Sequence, residues 1–219
     1  MERTRDCDRA PDPAPDRSAA HDPAGSDPGA GFRILFVCTG NICRSAMAER
    51  LTLAALGPGS PIQVGSAGTR ARPGRPMAER ASGVLLRLGG DPGGFASRPL
   101  TAGEVARADL VLAASAEHRA EAVALHPVAA ARAFTIVEFG ALARAVPAGR
   151  VLGHGDSVRR ARALREEAAA LRGLVRVERP DIDDPYGGPR RAYREAARRI
   201  ADALAVPIRL LTHMTHGSA

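Results

Sequence analysis

A cysteine and an arginine that could act together on an anion lie close together in the chain. Five residues separate Cys38 from Arg44, and Ser45 follows the arginine directly. An arginine guanidinium presents a planar fork that matches two oxygens of a phosphate. A cysteine attacks as its thiolate, which is stabilised by the N–H groups at a helix N-terminus. The spacing therefore predicts a loop that wraps one tetrahedral oxyanion and presents a nucleophilic sulfur to it.

The neighbouring residues place this loop between a strand and a helix. Four apolar residues, 34–37, precede the loop, and an amphipathic stretch follows it from Ala46 to Leu56. Gly40 permits a close backbone approach, and Asn41 is a non-glycine residue that tolerates a left-handed conformation. Residues 38–45 are called the phosphate loop below, and we expect its anion-binding members to include Thr39, Gly40, Asn41, Ile42, Cys43 and Ser45. The alternative is a buried structural cysteine beside an ordinary helix start.

A cluster of carboxylates later in the chain could supply a proton. Asp181, Asp183 and Asp184 lie together, and Pro185 follows the last of them. Transfer of a phosphoryl group to a thiolate releases an alkoxide or phenoxide, which a positioned carboxylic acid can protonate. Pro185 restricts the backbone of the residue before it, which favours Asp184 over its two neighbours. The alternative is a solvated acidic turn that caps the helix beginning near Pro189.

Several segments of the chain resemble one protein family. The run from Val37 to Ser45, with Met47-Ala48-Glu49 after it, resembles the phosphate-binding loop of low-molecular-weight protein tyrosine phosphatases. Further segments resemble that family in the same order, at residues 65–69, 97–101, 108–112 and 184–187. The resemblance covers roughly Phe32 to Leu211 with one interruption, and the loop motif is its most specific part.

The resemblance implies a phosphomonoester hydrolase, with protein tyrosine phosphatase as the favoured activity and no cofactor. In that family the residues matching Cys38, Arg44 and Asp184 are the nucleophile, the phosphate-binding arginine and the general acid, and the intermediate is a phosphocysteine. In several members a cysteine at the position of Cys43 forms a reversible disulfide with the catalytic one and protects it from over-oxidation. The alternative for Cys43 is a small buried residue at the start of the helix.

The residues around the predicted slot depart from the family. Members often carry two adjacent tyrosines after the acid-loop proline and aromatic rings in the variable loop. Here Tyr186 is followed by a glycine, and the variable loop, residues 69–77, carries Arg70, Arg72 and Arg75. Aromatic residues make up 3% of the chain, so few rings are available to line a slot for phenyl phosphate. The three arginines could bind acidic side chains around a phosphosite or form a hydrated basic loop.

The sequence does not show what braces the phosphate loop. The family commonly uses a His and an Asp, and the corresponding positions here are Phe95 and Ser115. We expect His118 and His126 to lie on a surface helix. None of the six histidines has metal-ligand spacing, so we expect no metal.

Short apolar segments alternate with amphipathic ones through the rest of the chain. Strands are predicted at residues 33–37, 62–65, 109–113 and 134–138, and helices at residues 45–56, 76–88, 116–125, 158–174 and 189–211. This alternation predicts a three-layer α/β fold, with a central four-stranded parallel sheet and helices on both faces. Ligands of such sheets bind at the carboxyl ends of the strands, where the phosphate loop follows the first strand.

The chain divides into three predicted parts. Residues 1–30 are rich in Pro, Asp, Ala and Gly, so we expect them to be disordered, and we interpret Cys7 as incidental. Residues 31–212 form the phosphatase-like domain, and residues 213–219 form a tail. The segment at about residues 141–178 is longer than the corresponding segment of most family members. We expect an inserted amphipathic helix there, which covers the active site, binds a partner or forms an exposed surface.

Composition limits the location and the partners of the protein. The 219 residues are 45% hydrophobic, which is enough for one domain, and no run approaches the roughly 18 apolar residues of a membrane span. No secretory signal is evident, and three cysteines favour a reducing cytoplasm over a disulfide scaffold. The net charge of +7 comes without interleaved aromatic residues, so nucleic acid is not indicated. We expect a phosphorylated protein substrate, with phosphotyrosine favoured, no membrane partner, and a monomer or weak dimer.

Two other functions remain open at this point. An arsenate reductase on the same scaffold shares the loop, and versions that use a low-molecular-weight thiol need no cysteine beyond Cys43. A non-catalytic phospho-binding module that regulates a partner through the inserted helix is the third reading. Asp184-Pro185 favours the phosphatase, because arsenate reduction leaves no alkoxide to protonate.

Overall fold

The computed structural model describes residues 31–212. Within them the strands are β1 (Phe32–Cys38), β2 (Ile62–Gly68), β3 (Leu110–Ala113) and β4 (Ala133–Thr135). The helices are α1 (Arg44–Leu56), α2 (Glu79–Arg87), α3 (Ala102–Arg107), α4 (Ala116–Leu125), α5 (Ile136–Ala145), α6 (Ala148–Leu152), α7 (Ser157–Ala170) and α8 (Arg190–Thr212), with a 3₁₀ helix at Pro127–Arg132. No helix in this range is both long and apolar enough to cross a membrane. The predicted disordered segment, with Cys7, and the predicted tail lie outside the described residues.

The four strands form one parallel sheet in the order β2-β1-β3-β4. The register pairs Cys38 with Gly68 on one side of β1, and Val37 with Ala113 on the other. The carboxyl ends of β2, β1 and β3 therefore meet at one edge of the sheet. This confirms the predicted α/β fold, with the phosphate loop at the end of the first strand.

The central strand β1 is buried on both faces. Phe32, Ile34 and Phe36 belong to a large core shared with α1, α5, α7 and α8. Leu35 and Val37 belong to a smaller core shared with α3, α4 and the 3₁₀ helix. Successive side chains of a strand point to opposite faces, so a strand covered on both sides is apolar throughout. The helices accordingly form a layer on each side of the sheet.

The fourth strand is shorter than predicted, because a helix begins inside the predicted strand. Thr135 Oγ1 accepts a hydrogen bond from the Glu138 N–H at 3.0 Å, and Glu138 Oε2 accepts one from the Thr135 N–H at 3.1 Å. This reciprocal arrangement is a capping box, which starts α5 at Ile136. The prediction of a strand through Glu138 is therefore wrong.

Other predicted boundaries move by a few residues. Strand β2 continues to Gly68, three residues past its predicted end at Gly65, and α2 begins at Glu79 instead of Pro76. The longer β2 matters for the site, because Gly68 pairs with Cys38 and brings the following variable loop beside the phosphate loop.

The segment 141–178 contains the end of α5 together with α6 and α7. The buried side chains of Ala161, Leu164 and Ala168 place one face of α7 in the large core, against α5 and α8. No residue of the segment lines the cavity around Cys38. Helix α7 thus extends a helical layer of the fold and does not cover the site.

Gly140 lies where α5 crosses α8, and it has no room for a side chain. A Cβ at Gly140 would overlap the backbone of Ala203. We expect Gly140→Ala to lower the free energy of unfolding by about 1–3 kcal/mol, the usual cost of overpacking, in a denaturant titration. Gly149→Ala is the matched control, because its Cβ would meet nothing within 4 Å and should leave stability equal or slightly higher. Equal effects of the two substitutions would contradict this close helix crossing.

Candidate active site

A cavity of about 360 Å³ opens at the carboxyl end of β1 and is called the active-site cavity below. Its walls come from the phosphate loop, the variable loop after β2, and the segment that precedes α8. The lining residues are Cys38, Thr39, Gly40, Ile42, Cys43, Arg44, Arg70, Arg72, Arg75, Asp184 and Tyr186. The structure therefore brings the predicted nucleophile, phosphate-binding arginine, general acid and rim residues around one space.

Asn41 shapes the turn of the phosphate loop. It is fully buried and has a left-handed backbone, with φ of 53°. Its Nδ2 donates to Ser45 Oγ at 2.9 Å and to Ser66 Oγ at 2.7 Å, and its Oδ1 accepts from the Arg98 N–H at 2.9 Å. A backbone N–H can only donate, so these partners fix which amide atom is the oxygen. Both ends of the side-chain amide are therefore bonded in one orientation, which stabilises the left-handed turn.

Ser45 presents a hydroxyl hydrogen to the sulfur of Cys38. The distance from Ser45 Oγ to Cys38 Sγ is 2.9 Å, and both residues are buried. Asn41 already donates to Ser45 Oγ, so the single hydroxyl hydrogen of Ser45 is available to the sulfur. A hydroxyl donor at this position stabilises the thiolate, which is the nucleophilic form of cysteine.

The phosphate loop leaves backbone donors available. Within residues 31–212, no acceptor takes the N–H groups of residues 40–43. Helix α1 begins directly after them, at Arg44. Free N–H groups in a loop that leads into a helix N-terminus form an anion-binding arrangement.

The guanidinium of Arg44 joins the phosphate loop to the segment before α8. Its Nη1 donates to the Ile182 carbonyl at 3.2 Å, and its Nη2 donates to Thr39 Oγ1 at 3.2 Å. The same Nη2 lies 2.8 Å from Asp184 Oδ2. Nε is buried and has no partner among the described residues. An oxyanion could therefore bind Nε directly and replace Asp184 at Nη2, since the Asp184 side chain is 48% exposed.

The three clustered aspartates have different environments. Asp181 Oδ1 accepts the Ala116 N–H at 2.8 Å and so binds the first turn of α4. Asp183 lies 3.8 Å from Arg179, and its side chain is 87% exposed. Asp184, in contrast, lines the active-site cavity and pairs with Arg44. Of the three, the geometry therefore favours Asp184 as a proton donor to a bound substrate.

Backbone contacts hold the segment that carries Asp184 against the sheet. The Ile182 N–H donates to the Ala114 carbonyl at 2.8 Å, directly after β3, and the Ile182 side chain is buried. Arg199 of α8 donates to the carbonyls of Arg179 and Asp181, each at 2.7 Å. These long-range bonds position the candidate acid, and local sequence patterns do not reveal them.

Ser66 and Glu49 brace Asn41 from the interior. Ser66 Oγ donates to Glu49 Oε2 at 2.6 Å, and Arg98 Nε donates to the Ser66 carbonyl at 2.7 Å. Burial raises the pKa of Glu49 above its ordinary value. Phe95, which corresponds to the family's bracing His, is buried instead beneath the Arg50 guanidinium, 5.4 Å from the ring centre. Glu49 and Ser66 lie within segments that resemble the family, but their local sequence does not indicate this role.

His118 is the site residue that the sequence analysis misplaced. It is 3% exposed, so the expectation that it lies at the surface of α4 is wrong. His118 Nε2 bonds to Thr39 Oγ1 at 2.8 Å, and Nδ1 bonds to Ser115 Oγ at 2.6 Å. Ser115 caps α4 by accepting the His118 N–H. A chain of hydrogen bonds thus runs from Ser115 through His118 and Thr39 to Arg44.

The environment of His118 disfavours its protonated form. Burial, helped by the nearby positive charge of Arg44, lowers the pKa of His118 below its ordinary value. The carboxylates of Glu117 and Glu121 act in the opposite direction but do not outweigh burial. No group of three or more His, Cys, Asp or Glu side chains within residues 31–212 is placed to hold a metal ion.

Comparison with known proteins identifies the family. The family model of low molecular weight phosphotyrosine protein phosphatases matches residues 33–146. This chain belongs to that family. The low molecular weight protein-tyrosine-phosphatase Etp of Escherichia coli K12 is 43% identical over 94 residues, which cover 43% of this chain and 62% of the relative. The match therefore spans less than two thirds of that protein.

Two further relatives match more of the chain. The protein-arginine-phosphatase of Geobacillus stearothermophilus is 31% identical over 165 residues, which cover 75% of this chain and 86% of the relative. The crystal structure of a low molecular weight protein tyrosine phosphatase from T. tengcongensis superposes with a TM-score of 0.60 at 30% identity, and covers 81% of this chain and 98% of that one. The family thus includes relatives named for two different phosphorylated side chains.

The buried His118 should make stability depend on pH. Its pKa is lowered in the folded protein, so between that value and the ordinary pKa of about 6.5 only the unfolded chain binds the proton. Stability is therefore lost as pH falls through this window, by up to about 1.4 kcal/mol per pH unit. Denaturant titrations from pH 8 to pH 5 should show this loss in the wild type and a smaller one in His118→Gln. The other five histidines are common to both proteins, so parallel profiles would contradict the proposed environment of His118.

Proposed function

We propose that this protein hydrolyses phosphate monoesters on protein tyrosine through a phosphocysteine intermediate on Cys38. The proposal rests on three groups that lie together in the active-site cavity. These are a sulfur 2.9 Å from the Ser45 hydroxyl, a guanidinium whose Nε has no partner among the described residues, and a carboxyl group 2.8 Å from that guanidinium. Membership of the phosphatase family supports the same reaction.

In the first step the thiolate of Cys38 attacks phosphorus, and an S–P bond forms as the P–O bond to tyrosine breaks. The free loop N–H groups, with Nε and Nη2 of Arg44, bind the phosphoryl oxygens and stabilise their charge. Asp184, displaced from Nη2 by the phosphate, takes up a proton from the solvent and donates it to the departing phenoxide. Binding the anion and releasing the acid are thus linked through one nitrogen of Arg44.

In the second step water attacks phosphorus on the phosphocysteine. Asp184, now a carboxylate, takes the proton from the water, and the S–P bond breaks with its electron pair returning to sulfur. Inorganic phosphate leaves, and the Ser45 hydroxyl again donates to the thiolate. Asp184 therefore ends the cycle protonated, and it releases this proton to the solvent when it pairs with Arg44 again.

Phosphotyrosine suits the cavity better than phosphoarginine. The aliphatic side chain of Ile42 and the ring of Tyr186 line it, and both can contact a phenyl ring. At the rim, Arg70 lies within 4 Å of Glu117 and Glu121, whereas Arg72 and Arg75 have no carboxylate partner among the described residues. Unpaired guanidinium groups favour phosphosites surrounded by acidic residues.

Because Cys38 and Cys43 are free thiols, we further propose a reducing compartment such as the cytoplasm.

Substitution of the nucleophile and the acid tests the reaction. With p-nitrophenyl phosphate as substrate, we expect Cys38→Ser to abolish turnover and Asp184→Asn to lower kcat by ~100-fold or more, as for loss of a general acid. Asp184→Asn should also tighten inhibition by inorganic phosphate, because the amide no longer pairs with Arg44. Asp183→Asn is the matched control, since this exposed carboxylate pairs with Arg179 outside the cavity.

Turnover that survives Cys38→Ser would rule out the phosphocysteine route. Equal effects of Asp183→Asn and Asp184→Asn would rule out Asp184 as the specific acid. Faster hydrolysis of a phosphoarginine peptide than of its phosphotyrosine counterpart would overturn the choice of substrate. A protein inert towards phosphate esters but able to reduce arsenate with a thiol would overturn the phosphatase itself.

We also propose that Cys43 protects Cys38 during oxidation. Burial raises the pKa of Cys43 to about 12, so it is a neutral thiol at physiological pH and does not compete as the nucleophile. Peroxide oxidises the Cys38 thiolate to a sulfenic acid, which the Cys43 thiol can convert to a disulfide with release of water.

The protective role of Cys43 can be measured by recovery after oxidation. Wild-type activity lost to peroxide should return with dithiothreitol, whereas Cys43→Ser should stay inactive because Cys38 proceeds to the sulfinic acid. Activity measured before peroxide shows that the variant is folded. Equal recovery of the two proteins would assign Cys43 a packing role only.

A further inference from the structure

A second cavity, of about 270 Å³, lies between α2 and the start of α8 and is called the α2–α8 cleft. Four guanidinium groups and one carboxylate line it, from Arg80, Arg87, Arg190, Arg194 and Glu79. The cleft therefore carries a strong positive charge in a concave surface, which concentrates anions more than a flat basic surface does.

The arginines of the cleft are largely unpaired. The guanidinium groups of Arg87, Arg190 and Arg194 make no hydrogen bond or ion pair with any of residues 31–212, and the Glu79 carboxylate pairs with none of them. By contrast, Arg119 and Arg172 share the carboxylate of Glu138. Like charges held together without a partner repel each other, so an anionic ligand would relieve the repulsion in the cleft.

The α2–α8 cleft adjoins the active-site cavity. Arg80 lines the cleft, and its Nη1 donates to the Gly188 carbonyl at 2.6 Å. Tyr186, two residues before Gly188, lines the active-site cavity. Residues 186–188 thus contact both spaces, and a ligand in one can continue into the other.

We propose that the α2–α8 cleft binds acidic side chains of the substrate at a short distance from its phosphorylated residue. The inference rests on the proposed phosphatase function and names its preferred substrates. Guanidinium groups bind carboxylates through two parallel hydrogen bonds, and three guanidinium groups of the cleft have no competing partner in the part of the chain that the structure describes. Gly187 lies three positions after Asp184, and an extended peptide advances about 3.3 Å per residue. Acidic residues roughly three to five positions from the phosphotyrosine therefore reach the cleft.

The cleft and the rim arginines should act at different positions of the substrate. Arg72 and Arg75 line the active-site cavity itself, so they contact residues next to the phosphotyrosine. Arg190 and Arg194 line the cleft beyond Tyr186, so they contact residues farther along the peptide. Peptides with acidic residues placed only at the distant positions separate the two groups of arginines.

The test compares phosphotyrosine peptides that differ only in charge. One peptide of each pair carries Glu three to five positions from the phosphotyrosine, before it or after it, and the other carries Gln. The ratio of kcat/KM for the Glu peptide over the Gln peptide, measured on the same enzyme, cancels general losses of activity. With the wild-type enzyme, we expect one of the peptide pairs, with the charge either before or after the phosphotyrosine, to give a ratio of about 10. This ratio should fall as the salt concentration is raised.

Substitutions in α8 then locate the preference. Arg190→Gln and Arg194→Gln should each lower the ratio by about 2- to 5-fold, the range for partly exposed ion pairs. Arg209→Gln is the matched control, because it removes the same charge from an exposed arginine that has no partner within residues 31–212 and lies about four turns beyond Arg194 along α8. The ratio for this control should equal that of the wild type. Arg80 is left intact, since its bond to Gly188 supports the segment that carries Asp184.

Each outcome decides a separate point. A wild type that cleaves p-nitrophenyl phosphate but shows ratios near 1 would overturn the cleft inference and leave the phosphatase standing. An equal fall in the ratio with Arg209→Gln would assign the preference to overall charge, and a preference lost only with Arg72→Gln would assign it to the rim. A wild type inert towards p-nitrophenyl phosphate and every peptide would overturn the proposed function itself.

Discussion

The left-handed turn at Asn41 is the constraint on which the rest of the site depends. Without it, the chain leaving β1 could not reverse within a few residues and enter α1 with Cys38 and Arg44 facing one cavity. A left-handed non-glycine residue is unfavourable by itself, and the buried amide offsets this through bonds to Ser45, Ser66 and the backbone of Arg98. The same bond to Ser45 frees the hydroxyl hydrogen that points to the sulfur. Loop shape and thiolate stabilisation therefore have one cause.

The sheet supports this turn through close backbone contact. A Cβ at Gly68 would lie 2.5 Å from the Thr39 carbonyl and 2.9 Å from the Asn41 nitrogen, so β2 can end beside the phosphate loop only with glycine there. On the other side, His118 reaches from α4 to Thr39, which in turn contacts Arg44. The parallel strand order brings these distant segments to one edge. The position of the phosphate loop is thus fixed from both sides of β1, by the end of β2 on one side and by α4 on the other.

Arg44 connects recognition of the anion with release of the acid. In the proposed reaction phosphate replaces Asp184 at Nη2, while Nη1 stays bound to the Ile182 carbonyl and keeps the guanidinium in place. The half-exposed aspartate can move into solvent, and the phosphate takes its place at the buried guanidinium. This exchange also explains why the segment around Asp184 is anchored on both sides while the carboxyl group itself remains accessible.

The sequence by itself determined the fold class and the chemistry of the reacting groups, because both are encoded in local patterns. Alternating apolar periodicity predicts the layers, and Cys38, Arg44 and Asp184 are recognised by their spacing to neighbours such as Ser45 and Pro185. The capping box that ends β4 is also a local pattern, Thr-x-x-Glu. The apolar residues around it favour a strand, so the pattern alone did not predict the start of α5. The tertiary structure decided which carboxylate meets Arg44, that His118 is buried, and that α7 lies in the core instead of over the site. These features depend on groups far apart in sequence, such as Arg44 and Ile182, which are 138 positions apart, and only the folded sheet brings them within hydrogen-bonding distance.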